Sequence, residues 1–367
     1  MTWGGLGVAG RACDVFWARN ALHLGLRVLG VKPGSRVLVP AYICRSVPEA
    51  VLAHGTEVEF YRVDEQCRLD LEDIAARIRP PVSGVIAVHY FGLPQPDMQA
   101  LRTLCDERGV VLIEDCAHVL PVSAVAGHPG FIGHASVFSW RKFLPVFDGG
   151  TLLLDSGFAG ALPSHNGAPV RLELRACQDT AERLRVRRGR SAHPEAQNEH
   201  HGVSPDPKTA PAPLGPSQAP LWRIDPNGDA FQVDALGLPM MHVSRWIRDY
   251  SDLLAVAEAR RRNWRAIAEL LPPEVGVGQL GNELAPDAVP WVFPLRLSRS
   301  KDSCRRMRQR GVPAGAWGGV RPHNLSVGLH PQVDRLYDEL VFLPIHQDLD
   351  TRSLEMVVSG VRRLLLG

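Results

Sequence analysis

At 367 residues, with 41 Lys and Arg against 39 Asp and Glu and a formal net charge of +2, the chain lacks the basic excess of a nucleic-acid-binding protein. Its 45% hydrophobic content supports a sizeable core in one large domain and a smaller one, and no apolar run approaches the roughly 20 residues that span a bilayer. The first twenty residues lack the charged start, apolar stretch and small-residue cleavage site of a signal peptide, and seven cysteines without CxxC spacing read as reduced thiols. A cytoplasmic protein without a metal site is expected.

Taken in chain order, the first 155 residues alternate helical and strand-like segments. "ARNALHLGLRVLGV" has apolar residues at helical spacing and is stopped by Lys32-Pro33-Gly34-Ser35. "RVLVP" is a strand, and "SVPEAVLAHG" a helix capped by Ser46 and closed by Gly55. Strands follow at "VEFYRV", "GVIAVHYFG", "VVLIEDCA", "ASVFSW" and "GTLLLD", with helices at "DLEDIAARI" and "DMQALRTLCDERG" between them. Short apolar strands separated by amphipathic helices predict an α/β domain with a mainly parallel sheet. The pattern stops at an arginine-rich stretch, 171–190, read as a solvated helix face. Seven prolines follow between 194 and 220, so 165–220 reads as a mobile insertion. From about 235, "VSRWIRDYSDLLAVAEARRRNWRAIAELL" is one long amphipathic stretch ended by Pro272-Pro273. Next come a strand (VPWVFPLRL), a helix (SKDSCRRMRQRG), a Gly- and His-containing loop at 315–332, a strand (LVFLPI) and a last helix. The predicted division is a large domain at 1–235 and a small α+β domain at 236–367.

Chemistry concentrates in a few places. Lys142 lies between two apolar runs and ahead of Asp148-Gly149-Gly150. A buried amine loses its solvation as a cation, so its pKa falls and its lone pair becomes available, as a Schiff-base lysine requires. "VVLIEDCAH" delivers Asp115 and His118 to the carboxyl end of a strand, where ligands of open α/β sheets sit. A carboxylate there can hold a metal, act as a base, cap a helix or face a protonated heterocycle. Pyridoxal phosphate uses the last of these. "WARNALHLG" opens a helix whose first amides can bind phosphate, with Arg19 adding charge and Asn20 a donor. Ser139, three residues before the lysine, can reach the same phosphate. His330 and His346 read as capping and packing residues, and the scattered tryptophans, Trp291 and Trp317 among them, as core or interface.

Together, "ARNALHLGLRVLGVKPGSRVLVPAY", "VIAVHYFGLPQPDM", "VLIEDCAHVL" through "FSWRKFLPVFDGG", "FPLRL" and "LPIHQDL" resemble the DegT/StrS-type aminotransferases. These are fold type I pyridoxal-phosphate enzymes best known for aminating keto sugars on nucleotides. The resemblance implies that Lys142 carries the coenzyme and shuttles the proton, and that Asp115 pairs with the pyridine nitrogen. It implies too that His118 reaches the ring hydroxyl, that Ala117 packs on a ring face, and that Arg19, Asn20 and Ser139 hold the phosphate. The position that often stacks an aromatic side chain on the ring falls at Cys44, with Tyr42 as a substitute. An "NYRM"-like segment, whose Asn reaches the partner subunit's phosphate in the family, is not recognisable in "ALGLPMMHVSRW"; Arg141 is the candidate replacement.

The function so implied is ping-pong transamination, with glutamate as amino donor and a keto group on a nucleotide-linked sugar as acceptor, in a homodimer. The alternatives are another pyridoxal-phosphate reaction, such as dehydration, elimination or condensation, and an idle regulatory protein on the same scaffold. Lys142 favours transamination over dehydration, because the dehydratase branch replaces this lysine. Lys142 and Asp115 together disfavour an idle scaffold.

Overall fold

The computed structural model describes residues 3–8, 11–125, 127–158, 160–162, 167–189, 231–271, 284–285, 288–297, 299–317 and 320–366. The proline-rich stretch, Trp222 and Pro272-Pro273 lie outside the described residues. Strands β1 (Ala12–Val15), β2 (Arg36–Pro40), β3 (Glu57–Tyr61), β4 (Val82–Val88), β5 (Val111–Cys116), β6 (Ala135–Ser139) and β7 (Gly150–Leu154) form one sheet in the order β1-β7-β6-β5-β4-β2-β3. β2 to β6 are mutually parallel, while β7 is antiparallel to both β6 and β1. The expected mainly parallel α/β sheet is present. β1 and the reversed β7 make its antiparallel edge.

Helices α1 (Ala18–Val28), α2 (Ser46–Ala53), α3 (Leu71–Arg77) and α4 (Met98–Arg108) alternate with these strands. Two expectations about them shift. Ser46 is the first residue of α2 and does not cap it, because Arg45 precedes the helix without a side-chain cap and Ser46 Oγ turns to Cys44 Sγ at 3.5 Å. The strand read through "HYFG" stops at Val88. There Phe91 (φ 60°) and Gly92 (φ 84°) turn the chain left-handed. At Gly92 a Cβ would lie 2.1 Å from the Val289 carbonyl oxygen, so only glycine lets residues 288–291 dock against this turn.

α5 (Val170–Gly189) accounts for most of the arginine-rich stretch. It buries Leu172, Ala176 and Thr180 and leaves Val170 and Leu174 exposed. The long amphipathic stretch is two helices, α6 (His242–Tyr250) and α7 (Leu253–Leu270). They part at Ser251-Asp252 because the Asp252 carboxylate caps α7, accepting from the amides of Leu254 and Ala255. β8 (Val292–Arg296) and β9 (Leu340–Pro344) pair antiparallel, accompanied by α8 (Ser300–Gln309), α9 (Pro331–Glu339) and α10 (Thr351–Leu366). α9 arises where the sequence reads as loop running into strand. Pro331 in its first turn, and Val333, Leu336 and Tyr337 on its buried face, specify it.

The main core runs along the large sheet, from Leu22, Leu24 and Leu26 of α1 to Val85, Ile86, Leu112 and Ile113 of the central strands. A second core joins Trp264, Phe293, Leu295, Met307, Leu343 and Val357. It gathers α7, α8 and α10 onto β8–β9.

Candidate active site

A cavity opens at the carboxyl ends of the parallel strands. Val88, Asp115 and Val137 are lateral neighbours on β4, β5 and β6, so side-chain alternation turns all three toward it. Glu114 and Cys116 face the other way. The Glu114 carboxylate is fully buried and accepts from the amides of Gly130 (2.8 Å), Ile132 (2.7 Å) and Gly133 (2.5 Å) and from His89 Nε2 (2.8 Å). The Gln95 amide donates to His89 Nδ1 at 3.0 Å, so His89 is the Nε2–H tautomer with its lone pair engaged. His89, Glu114 and Cys116 stand within 4.8 Å of one another. Glu114, backed by His89, ties down the 130–133 turn, and burial raises the pKa of the Cys116 thiol beside them.

Asp115 is 6% exposed, and its Oδ1 accepts from the Ala117 amide at 2.9 Å. Burial raises its pKa above the ordinary carboxylate value, against the opposing pull of the Ala117 amide, Lys142 and His89. Lys142 stands at the end of a short 3-10 turn that continues directly from β6, and its Nζ lies 4.3 Å from the centre of the Trp291 ring. Loss of hydration brings its pKa down to about 8; Asp115 and Cys44 push it upward and Arg141 pushes it down. Both members of this opposite-charge pair shift toward neutrality. For each, desolvation outweighs the partner's charge.

His118 stacks on Trp291, with ring centres 4.1 Å apart and planes 18° from parallel. The Phe91 amide donates to its Nδ1 at 3.3 Å, so Nε2 carries the hydrogen. Burial and then Lys142 hold its pKa well below 6.5, which makes it a neutral donor.

Arg19 and Ser139 line the same cavity. Arg19 packs 4.5 Å from the Trp17 ring centre, and the Ser139 side chain does not cap the turn that follows it. Close approach of β7 to the start of α1 fixes this end of the site. A Cβ on Gly150 would lie 2.2 Å from the Trp17 carbonyl carbon and 2.4 Å from the Ala18 nitrogen. Trp17 also lines the cavity, and its buried indole N–H has no acceptor among the described residues.

Of the residues expected from sequence, Arg19, Cys44, Asp115, Ala117, His118, Ser139 and Lys142 line this one cavity. Asn20 does not. Its buried Nδ2 donates to the Ala235 carbonyl at 2.5 Å, which fastens α1 to the segment before α6. Tyr42 is also outside, packed among Tyr90, Trp317 and Tyr337. The expectation that Trp291 and Trp317 are only core or interface is corrected, since both line the cavity. Their sequence context carries no signal for this, because the Gly92 turn and the Arg45 amide bond to the Val320 carbonyl (3.0 Å) bring them in. Of the other residues singled out, His330 precedes α9 without capping it through its side chain, and the His346 carbonyl accepts from Asn263 at 2.8 Å.

The arrangement is one buried carboxylate, one amine of lowered basicity, one neutral imidazole donor, and a helix start with a serine and an arginine beside it. Those are the groups that a phosphorylated pyridine aldehyde needs: a partner for the ring nitrogen, an amine for the aldehyde, a donor for the ring hydroxyl and an anion cradle. The residues present fit that coenzyme.

The fold is that of the fold type I aminotransferases. The crystal structure of the aminotransferase TlmJ from Streptoalloteichus hindustanus superposes with a TM-score of 0.65 at 22% identity, over 99% of this chain and 88% of that one. Residues 11–159 match the DegT/DnrJ/EryC1/StrS aminotransferase family model. It is 32% identical over 139 residues to GDP-perosamine synthase of Vibrio cholerae, covering 37% of this chain and 38% of that protein. It is 34% identical over 138 residues to a UDP-N-acetyl-3-dehydro-alpha-D-glucosamine 3-aminotransferase of Acidithiobacillus ferrooxidans, covering 36% and 37%. The chain thus matches less than two fifths of the length of either relative.

Proposed function

We propose that this chain is a pyridoxal-phosphate-dependent aminotransferase that moves an amino group, from glutamate, to a keto group on a nucleotide-linked sugar by a ping-pong cycle. The observation that carries the reading is the convergence of Asp115 and Lys142, from the ends of adjacent strands, with the Lys142 pKa brought down to about 8. An amine at that value is partly neutral near physiological pH, so it can attack a carbonyl and then accept or return a proton. When bound, the coenzyme supplies an aldehyde and an electron-accepting ring. Asp115 holds the proton on the ring nitrogen, His118 Nε2–H donates to the ring hydroxyl, and Arg19, Ser139 and the first turn of α1 take the phosphate. Lys142 Nζ would take the proton from the amino-bearing carbon and return it. Cys44 lines the same cavity, and Trp291 and Trp317 close its other side and limit access of water.

The same reading makes residues 1–235 the coenzyme-binding domain and 236–367 the smaller one, in a cytoplasmic homodimer. The two relatives, a perosamine synthase and an amino-sugar 3-aminotransferase, support a sugar nucleotide as acceptor. Among the described residues no helix is long and apolar enough to cross a membrane.

The test is an absorption spectrum of the protein with added pyridoxal phosphate and then L-glutamate. A coenzyme band that Lys142→Ala abolishes, and that glutamate converts to the aminated form of the coenzyme, is expected. Absence of any lysine-dependent band overturns the reading. A band indifferent to glutamate removes the donor assignment.

A further inference from the structure

Arg260, on α7, does not line the cavity, yet it is 1% exposed and its fork is spent almost wholly on backbone carbonyls around the lysine. One terminal nitrogen donates to the Trp291 carbonyl at 2.8 Å and the Pro290 carbonyl at 3.5 Å, and the other to the Lys142 carbonyl at 3.3 Å. Its Nε donates to Gln347 Oε1 at 3.1 Å, and Gln347 Nε2 in turn donates to the Phe143 carbonyl at 2.8 Å. The guanidinium also lies 4.8 Å from the centre of the Phe143 ring. A single planar group therefore grips the main chain of both residues whose side chains meet in the cavity, Lys142 and Trp291. Its grip on the lysine turn and on the Trp291 segment is through main-chain carbonyls, so the influence argued for it is geometric.

We propose that Arg260, braced by Gln347, is a positioning residue for Lys142: it fixes the lysine turn against the Trp291 segment and so holds the amine over the indole, away from water. The inference rests on the reading of Lys142 as the reacting amine. A rigid fork suits this task better than an ammonium, which is a single point charge with freely rotating donors. Gln347, in the "LPIHQDL" segment, thereby acquires a role that its neighbour His346 does not share.

The test is competitive acetylation of the coenzyme-free protein across pH 6 to 11, read at each lysine by mass spectrometry. The chain has four lysines, Lys32, Lys142, Lys208 and Lys301, so each is separately readable. The variants are Arg260→Lys, which keeps the charge and loses the fork, and Gln347→Met, which keeps the volume and frees the fork; circular dichroism and a cooperative melt establish that each is folded. The expected result is a Lys142 midpoint that rises in both variants by about one unit, a tenfold loss of neutral amine below the midpoint, with Lys32 and Lys301 unchanged. Pyridoxal phosphate binding weakens in parallel. An unchanged Lys142 midpoint in folded Gln347→Met, or its full retention in Arg260→Lys, overturns the proposal even if the melting temperature falls. Because acetylation needs no coenzyme, this outcome is separate from failure of the functional reading, which would show as a missing lysine-dependent band in the wild-type chain.

Discussion

Every ionisable side chain that lines the cavity, from Arg19 to Lys142, comes from the part of the chain that builds the seven-stranded sheet. The part from 235 onward contributes Trp291, Trp317 and Val320. The first wall carries charge and protons, and the second carries shape. The difference has a physical origin. Parallel strands bring several short side chains to one edge at fixed spacings of about 4.8 Å, which suits groups that must meet a ligand atom by atom. The later segments pack onto the sheet's own core, which includes Trp317 and Val320, and meet the site as surfaces. There large rings cover area and keep water out, and so help to depress the basicity of Lys142.

The comparison can be broken most severely on the sheet side. Gly150→Ala sets a Cβ 2.2 Å from the backbone of Trp17 and must drive the start of α1 off β7. A loss of about 3 kcal/mol in urea unfolding is expected, with coenzyme binding abolished in whatever still folds. If Gly150→Ala binds the coenzyme normally, the phosphate end of the site has been misplaced.

Asp115→Asn keeps the shape of that wall and removes its carboxylate. Turnover should drop by about a hundredfold or more. Because Asp115 pushes the Lys142 pKa upward, the acetylation midpoint of Lys142 should fall below about 8 rather than rise. The sign separates this variant from those at Arg260 and Gln347, which act through water access and move the midpoint up. A rise in Asp115→Asn would show that loosened packing, and not lost charge, dominates.

An effect read in the pH dependence of stability lies where the two regions meet. Asp148 is fully buried and accepts from the Met241 amide at 2.7 Å and Ser244 Oγ at 2.5 Å, tying the double-glycine turn to the start of α6. Burial pushes its pKa up to about 7 from 3.8, against those two donors and Arg141; Glu173 of α5 adds to the rise. A carboxyl raised on folding stabilises most below its unfolded pKa and loses that contribution as pH climbs through the folded value. Unfolding free energy should therefore decline between pH 4 and 7 on this group's account, by no more than about 4 kcal/mol. Asp148→Asn, followed by melting at pH 5 and pH 7.5, should flatten that dependence. An unaltered pH profile would remove Asp148 as its source.

Much of the sheet wall was legible beforehand because its elements are local. "VVLIEDCAH" declares a strand and, in the same nine residues, the acid and imidazole at its end. Lys142 was conspicuous as a lone amine between apolar runs, and the helix start at Trp17-Ala18-Arg19 follows from periodicity. Two neighbours show the limit of that reading. Arg19 lines the cavity, whereas Asn20, adjacent to it, turns into the protein and bonds Ala235. Successive positions on a helix diverge by about 100°, so a motif names the helix end without deciding which of its side chains faces the ligand. β1 and α9 were missed for another reason. β1 has only four residues and exists by pairing with β7, and α9 was hidden by the Gly- and His-containing loop before it.

By itself the sequence determined the alternation of strands and helices, the parallel sheet, and the residue types gathered at its carboxyl edge, because each depends on spacing within a few neighbours. Only the tertiary structure decided that Trp291 and Trp317 close the cavity, that Asn20 and Tyr42 lie outside it, and that Arg260 reaches across 118 residues to the carbonyl of Lys142. Those outcomes depend on which surfaces pack together and on where a buried donor finds its acceptor. A buried guanidinium must satisfy its N–H groups wherever carbonyls come within reach, and no local pattern announces where that will be.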